Sequence, residues 1–204
     1  ADEGWDAALS NCNYVMHVAS PFTVENPKSD SDMLVPAVDG TVRVLKAAKK
    51  NGVKRVVLTS SMVALMGGKK TGTITPEDWT DLSSKNISTY FKSKTLAEKA
   101  AWDFINNQSG DQLLELVTIN PGGVFGPPLG DNLSGASMSM MVKFLGGKIP
   151  MVPNASFPMV DVRDVAYLHA AALIEPKAAN QRFIATEKKG RSFQSICQLL
   201  IDNG

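Results

Sequence analysis

The chain has 204 residues, 21 of them basic and 20 acidic, and two cysteines. That length suits one domain with a real core, and the near-cancelled charge removes the electrostatic case for a nucleic-acid or anionic-membrane partner. The apolar runs are too interrupted to span a bilayer, the opening ADEGWDAALSNC does not read as a signal peptide, and Cys12 and Cys197 sit in unrelated segments, so a cytoplasmic protein with structural thiols is expected.

Residues 13–20, NYVMHVAS, form a short apolar run rich in strand formers and predict a first strand. Residues 32–52 carry Val38, Val42, Leu45 and Ala48 at helical spacing and stop at Gly52. RVVLTSS (55–61) reads as a near-continuous apolar strand. After a loop containing TPEDW, residues 88–102, STYFKSKTLAEKAAW, predict an amphipathic helix, and LELVTIN (114–120) a third strand ended by Pro121. A Gly/Pro loop, a Met-rich helix near 136–146, a helix near 162–174, a short strand RFIAT and a last helix complete the order. Strands apolar on both faces, alternating with helices, imply a parallel sheet covered on both sides.

Ligands of such sheets bind beyond the carboxyl ends of the strands. There the sequence places Ala19, Ser20 and Pro21, then Thr59, Ser60 and Ser61, then Pro121, Gly122 and Gly123. On the helix at 88–102, Tyr90 and Lys94 lie one turn apart on the side carrying Ala97, Ala101, Phe104 and Ile105, opposite Lys92, Lys99 and Asp103. A lysine on an apolar face either snorkels or is held for a purpose. A free phenol titrates near pH 10, and an adjacent ammonium is expected to lower that value and make Tyr90 a usable general acid or base. A strand-end hydroxyl could hold the substrate oxygen; Ser61 is the candidate and Ser60 its rival, since alternation sends the two to opposite sides.

The stretches GWDAALSNCNYVMHVASP, KRVVLTSS, YFKSKTLAEKAAW, NPGGVFGPPLG, VDVRDVAYLHAAAL and QRFIAT resemble the extended short-chain dehydrogenases/reductases, in particular the dihydroflavonol 4-reductase-like and aldehyde-reductase branch of the NAD-dependent epimerase/dehydratase superfamily. The resemblance implies an α/β fold: a Rossmann-like, doubly wound parallel sheet in three αβα layers. Residues 1–125 would be the second part of the dinucleotide-binding domain, and 126–204 a partial substrate-binding region interleaved with it. It also implies hydride transfer from NADPH or NADH, with NADP slightly favoured, to a small ketone or aldehyde. Tyr90 would protonate the carbonyl oxygen, Ser61 polarise it, and Lys94 bind the nicotinamide ribose. Val18, Ala19, Ser20, Thr59, Pro121, Gly122, Gly123 and Val124 would line the cofactor.

The family's Gly-rich phosphate turn has no counterpart here: Gly123-x-x-Gly126 leads into Pro127-Pro128, and Gly68-Lys69-Lys70 is not a P-loop. The chain is therefore expected to be a fragment without the first strands, with the strand at 13–20 an exposed sheet edge through which a homo-oligomer could form. Met66 stands where plant dihydroflavonol reductases carry a flavonoid-contacting Asn, so a simpler aldehyde or ketone is expected. Met138, Met140 and Met141 are expected as helix core rather than as pocket lining. Asp161 and Asp164 would cap a helix around Arg163, His17 and His169 would be packed core histidines, and no cluster has metal-ligand spacing. A sugar-nucleotide epimerase or dehydratase on the same scaffold, and a fragment unable to bind cofactor, are the alternatives.

Overall fold

The structure, a computed structural model, describes residues 3–20, 27–68, 72–131, 135–147 and 151–203; Pro21, Lys69 and Lys70 lie outside the described residues. The elements in chain order are α1 (Trp5–Leu9), β1 (Tyr14–His17), α2 (Ser31–Lys50), β2 (Arg55–Thr59), α3 (Val63–Met66), α4 (Thr89–Asn106), β3 (Glu115–Pro121), β4 (Gly123–Phe125), α5 (Ala136–Leu145), β5 (Ser156–Phe157), β6 (Met159–Asp161), α6 (Val162–Ile174), β7 (Gln181–Ala185), β8 (Arg191–Ser192) and α7 (Phe193–Asp202). The longer elements fall where periodicity puts them. The pieces that periodicity missed, such as α1, α3, β4, β5, β6 and β8, are too short to establish a period.

The chain divides into two units, Ala1–Asn120 with Leu168–Ile184, and Pro121–Tyr167 with Ala185–Gly204. The main sheet has the strand order β1-β2-β3-β7. Strands β1 and β2 pair in parallel from Tyr14 opposite Arg55 to His17 opposite Leu58, and β2 and β3 from Arg55 opposite Glu115 to Thr59 opposite Ile119. Strand β1 holds an edge position, and the apolar Met16 and Val18 beside that edge are exposed.

Alternation along β2 sorts the first unit into layers. Val56 and Leu58, with Leu116 of β3, pack against Leu45 and Ala48 of α2 and Ala101 of α4. The alanines let the helices approach the sheet closely. Arg55 and Thr59 point the other way, to the C-terminal half of α6. Helices thus cover both faces of a parallel sheet, as expected of a Rossmann-like fold. One expectation is corrected: β3 is not apolar on both faces. Thr118 and Asn120 follow Leu116 on the α4 side and are both fully buried.

Within the second unit, β4 pairs with β6 in parallel and β5 with β8 antiparallel. Its aromatic core brings the Phe157 ring within 4.9 Å of Phe193 and 6.0 Å of Phe125, centroid to centroid. Gly122 is required by close approach: a Cβ there would lie 2.6 Å from the Pro158 carbonyl oxygen. Asp161 caps α6 as expected. Its carboxylate accepts from the Arg163 backbone N–H and pairs with the Arg163 guanidinium, which holds the carboxyl down at about 2.

Arg55 is the buried tie between the sheet and α6. Its side chain is 2% exposed; Nε pairs with Glu115 at 2.7 Å, and Nη1 donates to the carbonyls of Ala172, Leu173 and Glu175 at the helix C-terminus. These are carbonyls that a helix end leaves unsatisfied. Arg55→Met should destabilise the chain by about 3–5 kcal/mol in urea unfolding, because it strands Glu115 and three carbonyls. Arg55→Lys should recover only part of that loss, because a point-like ammonium cannot replace the guanidinium fork.

Candidate functional site

Helix α4 starts at an N-cap serine, Ser88, whose side chain accepts the Phe91 N–H. Two residues on, Tyr90 is half-buried, and one turn later so is Lys94. One turn further, Glu98 is 1% exposed. The buried Ala97 and Ala101 complete the face.

Strand alternation separates the two candidate serines. Ser60 shares the parity of Val56 and Leu58, is buried, and its hydroxyl donates to Glu98 Oε2. Ser61, beyond the strand end, is half-buried and its side chain hydrogen-bonds Tyr90. Its hydroxyl also accepts the Val63 N–H at 3.3 Å, and its carbonyl accepts from Asn120 Nδ2 at 3.2 Å. The geometry brings Ser61 and Tyr90 together and sends Ser60 elsewhere.

The expected lowering of the Tyr90 pKa by Lys94 is corrected. Burial raises the phenol above its ordinary value, and the hydrogen bond from Ser61 offsets only part of that. Lys94 is itself shifted: burial pushes its ammonium down to about 8, against a smaller upward pull from Glu98. Among the described residues, no hydrogen bond or ion pair holds the Lys94 ammonium.

Lys94, His17, Ala19, Ser20, Thr59 and Glu98 line one narrow cleft. At about 10 Å³ it has room for roughly one water. His17 is not the buried core residue expected: it is half-buried, and burial and the neighbouring Lys94 lower its pKa. His169 is buried and meets Thr59 Oγ1 at 2.7 Å. Thr59 is therefore already engaged. Val18 and Ala19 are exposed beyond β1, and Ser20 is half-buried. Met66 is half-buried at the end of α3. Pro121, Gly122, Gly123 and Val124 belong to the second unit, at the end of β3 and in β4.

The second unit has a larger cleft of about 450 Å³, lined by Phe125, Met138, Met141, Met159 and Leu199, with Glu187 and Arg191 at hand. This corrects the methionines. No residue of α5 is buried, so Met138 and Met141 line a cleft rather than fill a core, while Met140 is not part of the lining. Among the described residues, no group of three His, Cys, Asp or Glu side chains could hold a metal, and no helix is long and apolar enough to cross a membrane.

Glu98 is the residue that sequence reasoning missed. Its carboxylate accepts from Ser60, Thr118, Asn120, Trp102 and Arg182. The available signal was Lys94-x-x-x-Glu98, an acid one turn along the Tyr90 face.

Charged Lys94 is a cost to the free chain at neutral pH. Its folded pKa of about 8 lies below the ordinary lysine value, so the unfolded chain binds more protons between the two, and folding gains stability as pH rises through that window. Wild type should therefore gain stability relative to Lys94→Met between about pH 8 and 10.5, read by urea unfolding at each pH. A difference that does not change with pH would contradict a desolvated ammonium.

The model of the 3-beta hydroxysteroid dehydrogenase/isomerase family matches residues 2–201. Cinnamoyl-CoA reductase CAD2 of Medicago truncatula is 36% identical over 195 residues, covering 92% of this chain and 58% of that protein. The NADPH-dependent methylglyoxal reductase GRE2 of Saccharomyces cerevisiae is 33% identical over 192 residues, covering 86% of this chain and 56% of that protein. The crystal structure of Gre2 from Candida albicans with NADPH superposes with a TM-score of 0.81 at 32% identity, over 98% of this chain and 63% of that one. The chain thus spans a little more than half the length of these curated relatives.

Proposed function

The chain belongs to the 3-beta hydroxysteroid dehydrogenase/isomerase family, and from that premise we propose that it carries the proton-transfer half of an NADPH-dependent reductase of small ketones or aldehydes. The observation that carries this reading is the hydrogen-bonded Ser61–Tyr90 pair one helical turn from a desolvated Lys94 that has no hydrogen-bond or ion-pair partner among the described residues. A bound nicotinamide cofactor would supply the hydride. Tyr90 holds the proton that the carbonyl oxygen receives. The half-buried phenol is protonated at neutral pH and so can donate, and the Ser61 hydrogen bond, which lowers the pKa that burial raises, favours the transfer. Ser61 orients the same oxygen with its hydroxyl.

Lys94 fits ribose hydroxyls: its ammonium offers donors with no acceptor among the described residues, in a half-buried site. The narrow cleft has no room for a dinucleotide, so the cofactor would lie along its rim, against the exposed Val18 and Ala19 and beside Ser20 and Thr59. NADPH is favoured over NADH because the GRE2 reductase is named for it and the Candida albicans Gre2 structure contains it. Met66, in place of a polar residue, suits an apolar substrate.

The test is NADPH and NADH binding by fluorescence, for the 204-residue chain and for Lys94→Ala. Binding to wild type that weakens about tenfold or more in the variant supports the reading; a folded chain that binds neither dinucleotide overturns it. Affinity should also fall as pH rises through about 8, where Lys94 loses its proton. Given turnover, Tyr90→Phe should leave binding within about twofold and cut carbonyl reduction by about 10²–10⁴-fold.

A further inference from the structure

Glu98 is a buried carboxylate that the proposed chemistry does not use. Oε2 receives Ser60 Oγ and, at 2.7 Å, Asn120 Nδ2; Oε1 receives Arg182 Nε at 2.7 Å, Thr118 Oγ1 at 3.1 Å and Trp102 Nε1 at 3.3 Å. Asn120 Nδ2 reaches onward to the Ser61 carbonyl at 3.2 Å. Two hydrogen bonds therefore run from Glu98 to the peptide of the residue that holds Tyr90. On α4 itself Glu98 stands one turn from Lys94, and both line the same narrow cleft.

We propose that Glu98 is a positioning residue, which supplies the negative charge facing Lys94 and clamps the ends of β2 and β3 so that Ser61 stays against Tyr90. This rests on the reductase reading of the same site. The titratable groups around Lys94 are Glu98 and Tyr90 on α4 and His17 on β1, with Arg182 of β7 paired to Glu98. Glu98 pulls the Lys94 pKa up against burial, which pushes it down to about 8. A carboxylate needed only for packing could be replaced by an amide without changing how Lys94 titrates.

The experiment is an NMR titration of the Lys94 side chain, with ¹³C-labelled lysine, in wild type, Glu98→Gln and Glu98→Asp. Lys94→Met provides the assignment. The Lys94 midpoint should fall by at least about half a unit in Glu98→Gln and recover most of that in Glu98→Asp, which keeps the charge. An unchanged midpoint in a folded Glu98→Gln overturns the electrostatic role. Ser60→Ala tests the clamp without removing a charge, and serves if Glu98→Gln does not fold. With the β2 end released, Tyr90 should titrate at higher pH, because the Ser61 hydrogen bond is what lowers it; an unmoved Tyr90 overturns the clamp. Neither titration needs cofactor. Failure of wild type to bind NADPH would sink the reductase reading while these curves still decide the role of Glu98.

Discussion

A carboxylate taken out of water costs several kcal/mol unless partners replace its hydration. Glu98 is buried almost completely, and the first unit is arranged around satisfying it. Its donors come from the end of β2 (Ser60), from β3 (Thr118 and Asn120), from β7 (Arg182) and from its own helix (Trp102). Arg182 is fixed in turn: Nη1 donates to the carbonyls of Pro76 and Asp78, and the guanidinium lies 3.8 Å over the Trp79 ring. The long loop before α4 is thereby tied to the same charge. Removing one member leaves the others as buried, unpaired polar groups, so the network specifies one arrangement of three strands and one helix.

This arrangement also explains why adjacent serines have different fates. Strand geometry sends Ser60 to the α4 side with Val56 and Leu58, where Glu98 waits. The chain then leaves the strand, and Ser61 is free to meet Tyr90. The opposite face of β2 holds a second polar tie, from Arg55 to Glu115 and the end of α6, and from Thr59 to His169. Each face of β2 is thus apolar in the middle and held by polar groups at one or both strand ends. The chemistry proposed for this chain sits at one such end.

The larger elements were legible in the sequence because each repeats a period long enough to read: Val38, Val42, Leu45 and Ala48 for α2, and the apolar run at 55–58 for β2. The Tyr90–Lys94 pair was legible for the same reason, since one helical turn puts both on one face. Thr118 and Asn120 were not, because a strand pattern shows that alternate residues share a face but not what stands opposite. The methionines of α5 failed similarly. An apolar helix face reads as core, and only the fold shows that none of its residues is buried.

The sequence by itself determined the order of the longer strands and helices, the parallel sheet, and the spacing that sets a phenol and an ammonium on one face of α4. These follow from local periodicity and chain connectivity, which each segment carries alone. Only the tertiary structure decided that Ser61 rather than Ser60 meets Tyr90, that burial raises that phenol's pKa, and that Glu98 joins three strands. Hydrogen bonding and desolvation depend on which residues distant in the chain come to lie within about 3 Å of one another, and that distance is set by packing.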